Sequence, residues 1–239
     1  MIPLREPVRS FVMILNSFFS AMFAPRAFFE NRSRLPETTV ALRGFALLAG
    51  LTALTILILS QVSAYMLADL GQELQQRFDL APSDPLLPPA ASLVFRFVFA
   101  VLMWFGYLAI AAGLRRLGAG ILGESSITYR KALTYSALSA LPLFLGAVLA
   151  YLVLLLFTPR TVDDVLRTVA FGPFIRILVL FAAVAWEGVI FTIALNRVEA
   201  VMKRRAFMVW FAPIGLLSLA FILFVVIFTI YTGMPGVGS

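Results

Sequence analysis

The chain contains no cysteine and no histidine. These two absences exclude disulfides, zinc sites of the usual Cys/His type, haem ligation, thiol nucleophiles and imidazole acid–base catalysis. The remaining residues form no catalytic constellation, so we predict a protein that is not an enzyme and holds neither a cofactor nor a metal. Lysine is also scarce, because only Lys131 and Lys203 are lysines among the 19 basic residues. Such an arginine bias indicates a GC-rich prokaryotic genome.

Long apolar stretches are abundant instead. Hydrophobic residues make up 62% of the 239 residues, more than a soluble domain normally contains. Crossing the hydrocarbon core takes roughly 20 apolar residues as a helix, the conformation that pairs every backbone group within its own segment. We predict an all-α integral membrane protein with a membrane domain at residues 41–231. Its five transmembrane helices are expected at about 45–67, 93–114, 132–157, 174–195 and 207–231.

The flanking segments differ in charge from one side of the membrane to the other. The loop after the first span has Arg77 as its only basic residue. Basic residues cluster instead before the first span (Arg5, Arg9, Arg26, Arg32, Arg34, Arg43), before the third (Arg115, Arg116, Arg130, Lys131) and before the fifth (Arg197, Lys203, Arg204, Arg205). The positive-inside rule then places the N-terminal segment 1–40 in the cytoplasm and the tail 232–239 outside. We expect a prokaryotic plasma (inner) membrane.

The net charge of +7 is explained by these cytoplasmic loops, which lie beside an anionic lipid surface. No basic face with interleaved aromatic residues suggests nucleic-acid binding. The expected partners are the lipid bilayer and, within the membrane, other proteins or further copies of the chain.

An amphipathic pattern precedes the first span. Phe11, Leu15, Phe18 and Met22 recur at helical spacing, but the apolar run 11–24 is too short to cross a bilayer. We favour an interfacial helix, anchored by Arg26 and the earlier arginines, that lies on the cytoplasmic surface. A cleavable signal peptide is one alternative, although a small-x-small cleavage site is absent. A helix packed under the bundle is the other.

Small residues that share one helix face predict close helix contacts in lipid, because they let backbones approach each other. Such sets occur on the second span (Gly106, Ala109, Gly113), the third (Ser139, Gly146, Ala150) and the fourth (Ala185, Gly188, Thr192).

Glu187 is the candidate for an intramembrane polar site. It lies about 19 Å of helix rise from the outer end of the fourth span, too deep for its short side chain to reach the headgroups. The loop assignment of Arg115 leaves no basic residue at that depth, so we expect a largely neutral carboxyl and a nearly unchanged stability in Glu187→Gln. Both a structural hydrogen bond and a proton- or ion-linked role fit. Its candidate partners are Tyr107, Tyr135, Ser136 and Ser139.

Four short motifs occur in order along the chain. They are Ala-Pro-Arg-Ala-Phe-Phe at residues 24–29, Gly118–Gly123 followed by Ser126, Tyr129 and Lys131, Tyr135-Ser136 with Pro142, and Trp186 followed by the basic loop 196–206. In this order they resemble the pre-membrane phrase, the Gly-rich loop, the Tyr-Ser-x-x-x-Pro pattern and the Trp with its short basic loop of the Yip family of Rab-GTPase-interacting membrane proteins, and more specifically of its prokaryotic branch. The Asp-Leu-Tyr-Gly-Pro motif of the eukaryotic members is absent.

The resemblance implies a non-enzymatic protein of Yip type that organises membrane or acts as an adaptor for lipid or protein partners. Two other functions are compatible with the residues. One is a small transporter or channel-like subunit in which Glu187 couples to protons or ions. The other is an accessory subunit of a larger membrane complex.

Overall fold

A computed structural model describes residues 6–31, 35–78, 90–158 and 165–233. Within these ranges the regular structure is entirely helical. The helices are α1 (Glu6–Phe23), α2 (Pro25–Glu30), α3 (Thr38–Phe78), α4 (Ala90–Ile121), α5 (Tyr129–Ser139), α6 (Leu141–Leu156), α7 (Val165–Val198) and α8 (Lys203–Gly233).

Three helical segments in the described ranges are long and apolar enough to cross a membrane: Thr38–Met66 in α3, Ser92–Ile121 in α4 and Phe171–Val198 in α7. The pair α5 and α6 makes a fourth candidate if its two helices are taken as one bent span. The predicted all-helical membrane fold is therefore confirmed for three to four spans. The predicted fifth span lies within α8, many of whose side chains fall outside the described set, so the count of five stays a prediction.

The predicted third span is broken rather than continuous. α5 and α6 meet at Ala140 with a bend of 41°. Pro142 is the second residue of α6, and its missing N–H and its ring prevent a regular helix from continuing through this point. The break matters for the site below, because it leaves Ser139 as the last residue of α5.

Aromatic side chains join α3, α4 and α6 in the interior. The Phe144 ring lies 5.1 Å from that of Phe45 and 4.5 Å from that of Trp104, and Phe45 also packs edge-on against Phe105. Behind them α6 and α7 approach closely, since a Cβ on Gly146 would overlap the side chain of Ala183. These contacts supply the dispersion energy that holds helices together where lipid offers no hydrophobic driving force.

The helix ends and short loops that carry most of the basic residues gather at one end of the bundle, here called the basic end. It comprises α2, the starts of α3, α5 and α8, the end of α7, and the loops 122–128 and 199–202. Polar contacts join these parts: Arg197–Glu30 (3.0 Å), Arg205–Glu124 (3.0 Å), Lys131–Glu199 (2.7 Å) and Thr38–Thr134 (2.8 Å).

α1 packs against the basic end through one side of its apolar stripe. Phe18 is 1% exposed and lies against Gly44, where a Cβ would overlap its ring. Leu15 and Met22 are partly buried against the same core, whereas the Phe11 side chain lies outside the described set. As expected for proline, Pro25 begins a new helix after α1 ends at Phe23. The alternative of a helix packed under the bundle therefore describes this side of α1. Contact of the other side of α1 with lipid stays a prediction.

Candidate functional site

Glu187 lies in the interior of the bundle and is 1% exposed. Its carboxylate accepts hydrogen bonds from three other helices. Arg115 of α4 donates through Nη2, which lies 2.8 Å from Oε1 and 3.0 Å from Oε2. Ser139 of α5 donates to Oε1 at 2.9 Å, and the indole N–H of Trp210 in α8 donates to Oε2. Glu187 thus ties α7 to α4, α5 and α8.

Arg115 is as buried as its partner, with 2% exposure. Its Nη1 donates to the hydroxyl of Ser136 at 2.7 Å, and its guanidinium carbon lies 4.3 Å from the centre of the Phe191 ring. Planar stacking of this kind suits a weakly hydrated guanidinium. Its Nε alone has no hydrogen-bond partner within the described residues. We call Arg115, Ser136, Ser139, Glu187 and Trp210 the Glu187 cluster.

The expectation that no basic residue reaches the depth of Glu187 is wrong. α4 continues through the predicted loop to Ile121, so Arg115 lies inside a helix, roughly 9 Å of rise before its end. Successive helical side chains point about 100° apart, which lets Arg115 face the interior while Arg116 is partly exposed. Glu187 is accordingly an ion-pair partner, and the neutral, hydroxyl-bonded carboxyl predicted from the sequence is corrected.

The structure brings three of the four predicted partners, Ser139, Ser136 and Tyr107, to the cluster. Ser139 contacts Glu187 directly, and Ser136 contacts it through Arg115. Tyr135 instead donates its hydroxyl to Glu199 at 2.6 Å, beside the Lys131–Glu199 pair at the basic end. Tyr107 packs edge-on against Trp104, and its hydroxyl interacts with the side chain of Arg115, although 40% of the residue is exposed. Within the described residues it makes no hydrogen bond to Glu187.

Trp210 was not predicted from the sequence. It lies on α8 and is 7% exposed, and its ring fills the space that a side chain at position 188 would need. The contact at Gly188 confirms the predicted close approach on the fourth span, as Gly146 does on the third. The prediction is wrong for Gly106 and Gly113 within one copy, because no described atom lies within 4 Å of where their Cβ would stand.

Beside the cluster, α7 and α8 form a lateral groove of about 620 Å³. Phe181, Val184 and Val189 of α7 face Phe207, Phe211 and Ile214 of α8, and Trp210 and Gly188 form part of its floor. At the basic end its mouth is lined by Arg26, Arg197, Lys203 and Asn196. The predicted interface residue Arg26 therefore lies, exposed, at this mouth.

Among the described residues, Arg115 and Glu187 are the only charged members of the Glu187 cluster, and they neutralise each other. Within the described residues no group of acidic side chains could hold a metal ion. The cluster can hold helices in register and exclude water. The groove can receive an apolar ligand with an anionic end.

A family model described as the Yip1 domain matches residues 19–234 of the chain. The matched stretch begins within α1, extends beyond the end of α8, and includes the Glu187 cluster and the groove. No curated protein and no solved structure matches the chain. Because the family model covers most of the sequence, as the motifs around Pro25, Gly118 and Tyr135 led us to expect, the chain belongs to the Yip1 domain family.

Proposed function

We propose that the protein is a non-enzymatic membrane-organising adaptor that holds α1 in one leaflet of a prokaryotic inner membrane. The supporting observation is a second apolar side of α1, which the bundle does not cover. Val12, Phe19 and Phe23 are 50%, 42% and 71% exposed. Their spacing places them on one side of a helix, and we call this set the α1 flank.

The α1 flank differs from an ordinary exposed apolar patch because the helix that carries it is anchored. Phe18 and Ala21 are buried in the core, so the flank has a fixed position beside the first span. Phe19 and Phe23 stack with their ring centres 6.2 Å apart and present a broad aromatic surface. An apolar helix face bordered by basic residues is the type of surface that settles at the headgroup boundary.

The Glu187 cluster favours this function over ion coupling. Both carboxylate oxygens already accept hydrogen bonds, and both lie within 3.0 Å of the buried Arg115 guanidinium. A coupling carboxyl must exchange protons or ions with water, whereas Glu187 is almost completely enclosed. The cluster is better suited to fixing the arrangement of four helices, which an adaptor needs in order to present α1.

Placement of a fluorophore on α1 tests the proposal. Because the chain has no cysteine, Val12→Cys and Ser17→Cys each create one labelling site, the first on the flank and the second on the opposite, partly exposed side of α1. After reconstitution we expect the label at position 12 to be quenched by lipids brominated on their acyl chains. We expect the label at position 17 to be quenched by aqueous iodide. Equal iodide quenching at both positions would refute insertion of the flank.

Fusions to a reporter that is active only in the cytoplasm test the orientation. We expect activity when the reporter follows Arg205 and none when it follows Asp84, a residue outside the described ranges. The reason is the basic stretch 196–206, in contrast to the acidic stretch between the first two predicted spans, which has Arg77 as its only basic residue. The reverse pattern would place the basic end outside and exclude the proposed leaflet.

A further inference from the structure

We propose that the groove between α7 and α8 binds one anionic phospholipid, with an acyl chain along its apolar length and the phosphate at its basic mouth. This site is separate from the α1 flank. If the test below finds no lipid in the groove, the proposed insertion of α1 still stands. If α1 does not insert, the proposed lipid site still stands.

The length of the groove matches one leaflet. From Phe181 to Ile193 α7 rises about 18 Å, close to the roughly 15 Å of hydrocarbon in half a bilayer. The lining over this distance is almost entirely aliphatic and aromatic, and Phe181, Phe207 and Phe211 are each more than 40% exposed. The groove therefore opens sideways and runs from mid-bilayer depth to the basic end.

The charge at the mouth is complementary to a phosphate. Arg26 comes from α2, Arg197 from the end of α7 and Lys203 from the start of α8, and no acidic residue lines the groove. Arg197 is paired with Glu30, whereas Arg26 and Lys203 have no acidic partner within the described residues. Lys203 is followed by two more cations in a first turn without acidic residues, an arrangement that the helix dipole disfavours and a bound anion would relieve.

A polar atom between the two zones is also unsatisfied. The Thr192 hydroxyl is buried without a hydrogen-bond partner among the described residues, and Thr192 lines the groove between its apolar length and its mouth. Because this oxygen is enclosed by the protein, Thr192 offers the groove no exposed polar atom between the apolar length and the mouth. A transmembrane helix of a partner protein would fill the apolar length but would leave the cations at the mouth unpaired.

Native mass spectrometry of the purified chain, titrated with phosphatidylglycerol or phosphatidylcholine, tests the proposal. We expect one phosphatidylglycerol to bind in preference to phosphatidylcholine. The double variant Arg26→Gln/Lys203→Gln should weaken phosphatidylglycerol binding about 10- to 30-fold, since each basic side chain near the headgroups contributes a factor of roughly three to five. Arg204→Gln is the matched control, because Arg204 is exposed in the same helical turn but does not line the groove.

A second pair of variants tests the acyl-chain part without a change of charge. Ala185→Trp should fill the groove and abolish the tightly bound lipid, whereas Ala182→Trp, exposed on the same helix and outside the groove, should not. Unchanged phosphatidylglycerol binding in the Arg26/Lys203 variant or in Ala185→Trp would overturn the proposal. Equal binding of the two lipids by the original chain would overturn it as well.

Discussion

Glu187→Gln is expected to lower the free energy of unfolding by about 3 to 5 kcal/mol, because it leaves the Arg115 guanidinium buried without a counter-charge. The amide keeps the size of the side chain but has one acceptor oxygen instead of two. Its oxygen can accept from Trp210 while its NH2 group faces Ser139, whose hydroxyl can accept that hydrogen bond and donate to the Ser136 carbonyl instead. The loss therefore reports mainly the charge. Arg115 cannot escape the cost by releasing its proton, since a guanidinium stays protonated in proteins. SDS-induced unfolding in mixed micelles measures the change.

Glu30→Gln is the matched control, because it removes the carboxylate from an exposed ion pair. Glu30 and Arg197 have side chains 55% and 39% exposed, and such pairs contribute about 0 to 1 kcal/mol. Adding Arg115→Met to Glu187→Gln removes both charges and should recover part of the lost stability. If Glu187→Gln costs no more than Glu30→Gln, Glu187 is uncharged and the ion pair is not formed.

The sequence predicts a neutral Glu187, whereas the structure pairs it with Arg115, and this difference has a physical reason. The apolar runs predicted the helices well, because hydrophobic length is a property of each segment alone. The partner of Glu187 depends on which helices are neighbours and on their relative depth. Arg115-Arg116 was interpreted as a loop because two adjacent arginines are costly in lipid. In α4 the Arg115 side chain instead points into the bundle, whereas Arg116 is partly exposed.

A depth comparison could have detected this arrangement. Trp210 lies roughly 10 Å of rise from the start of α8, and Ser136 a similar distance from the start of α5. Arg115 lies at nearly the same distance from the end of α4. Counting from the basic end, rather than from the outer end, brings Arg115, Ser136 and Trp210 to one level, while Glu187 lies roughly 16 Å from the end of α7, about one helical turn deeper. No pattern in the sequence, however, indicates that α8 rather than another helix supplies the third donor.

The two adjacent residues Tyr135 and Ser136 were predicted as alternatives for one partner, but they serve different partners. Helical side chains lean toward the N-terminus of their helix. The long Tyr135 side chain therefore reaches back to Glu199 at the basic end, while the short Ser136 stays level with Arg115. Side-chain length and direction, which residue spacing does not capture, separate the two.

Gly188→Ala is expected to destabilise the protein by about 1 to 3 kcal/mol, the usual cost of adding a methyl group to a filled interior. The new Cβ would overlap the Trp210 ring. The indole must then move, and its N–H leaves the Glu187 carboxylate. The same change should alter the Trp210 contribution to the fluorescence emission, because the ring shifts from its present 7% exposure.

Gly106→Ala is the matched control for this variant. Both glycines are inside long helices, but a Cβ on Gly106 has nothing within 4 Å among the described residues. There the substitution should be neutral or stabilising by up to about 1 kcal/mol, since alanine loses less backbone entropy than glycine on forming a helix. Each variant adds one methyl group to the original chain. A lower SDS midpoint for Gly188→Ala, together with an unchanged or higher one for Gly106→Ala, would attribute the loss of stability to the contact with Trp210. If the midpoints shift equally, the close contact of α7 with α8 at Gly188 is absent, and the Trp210 hydrogen bond to Glu187 is absent with it.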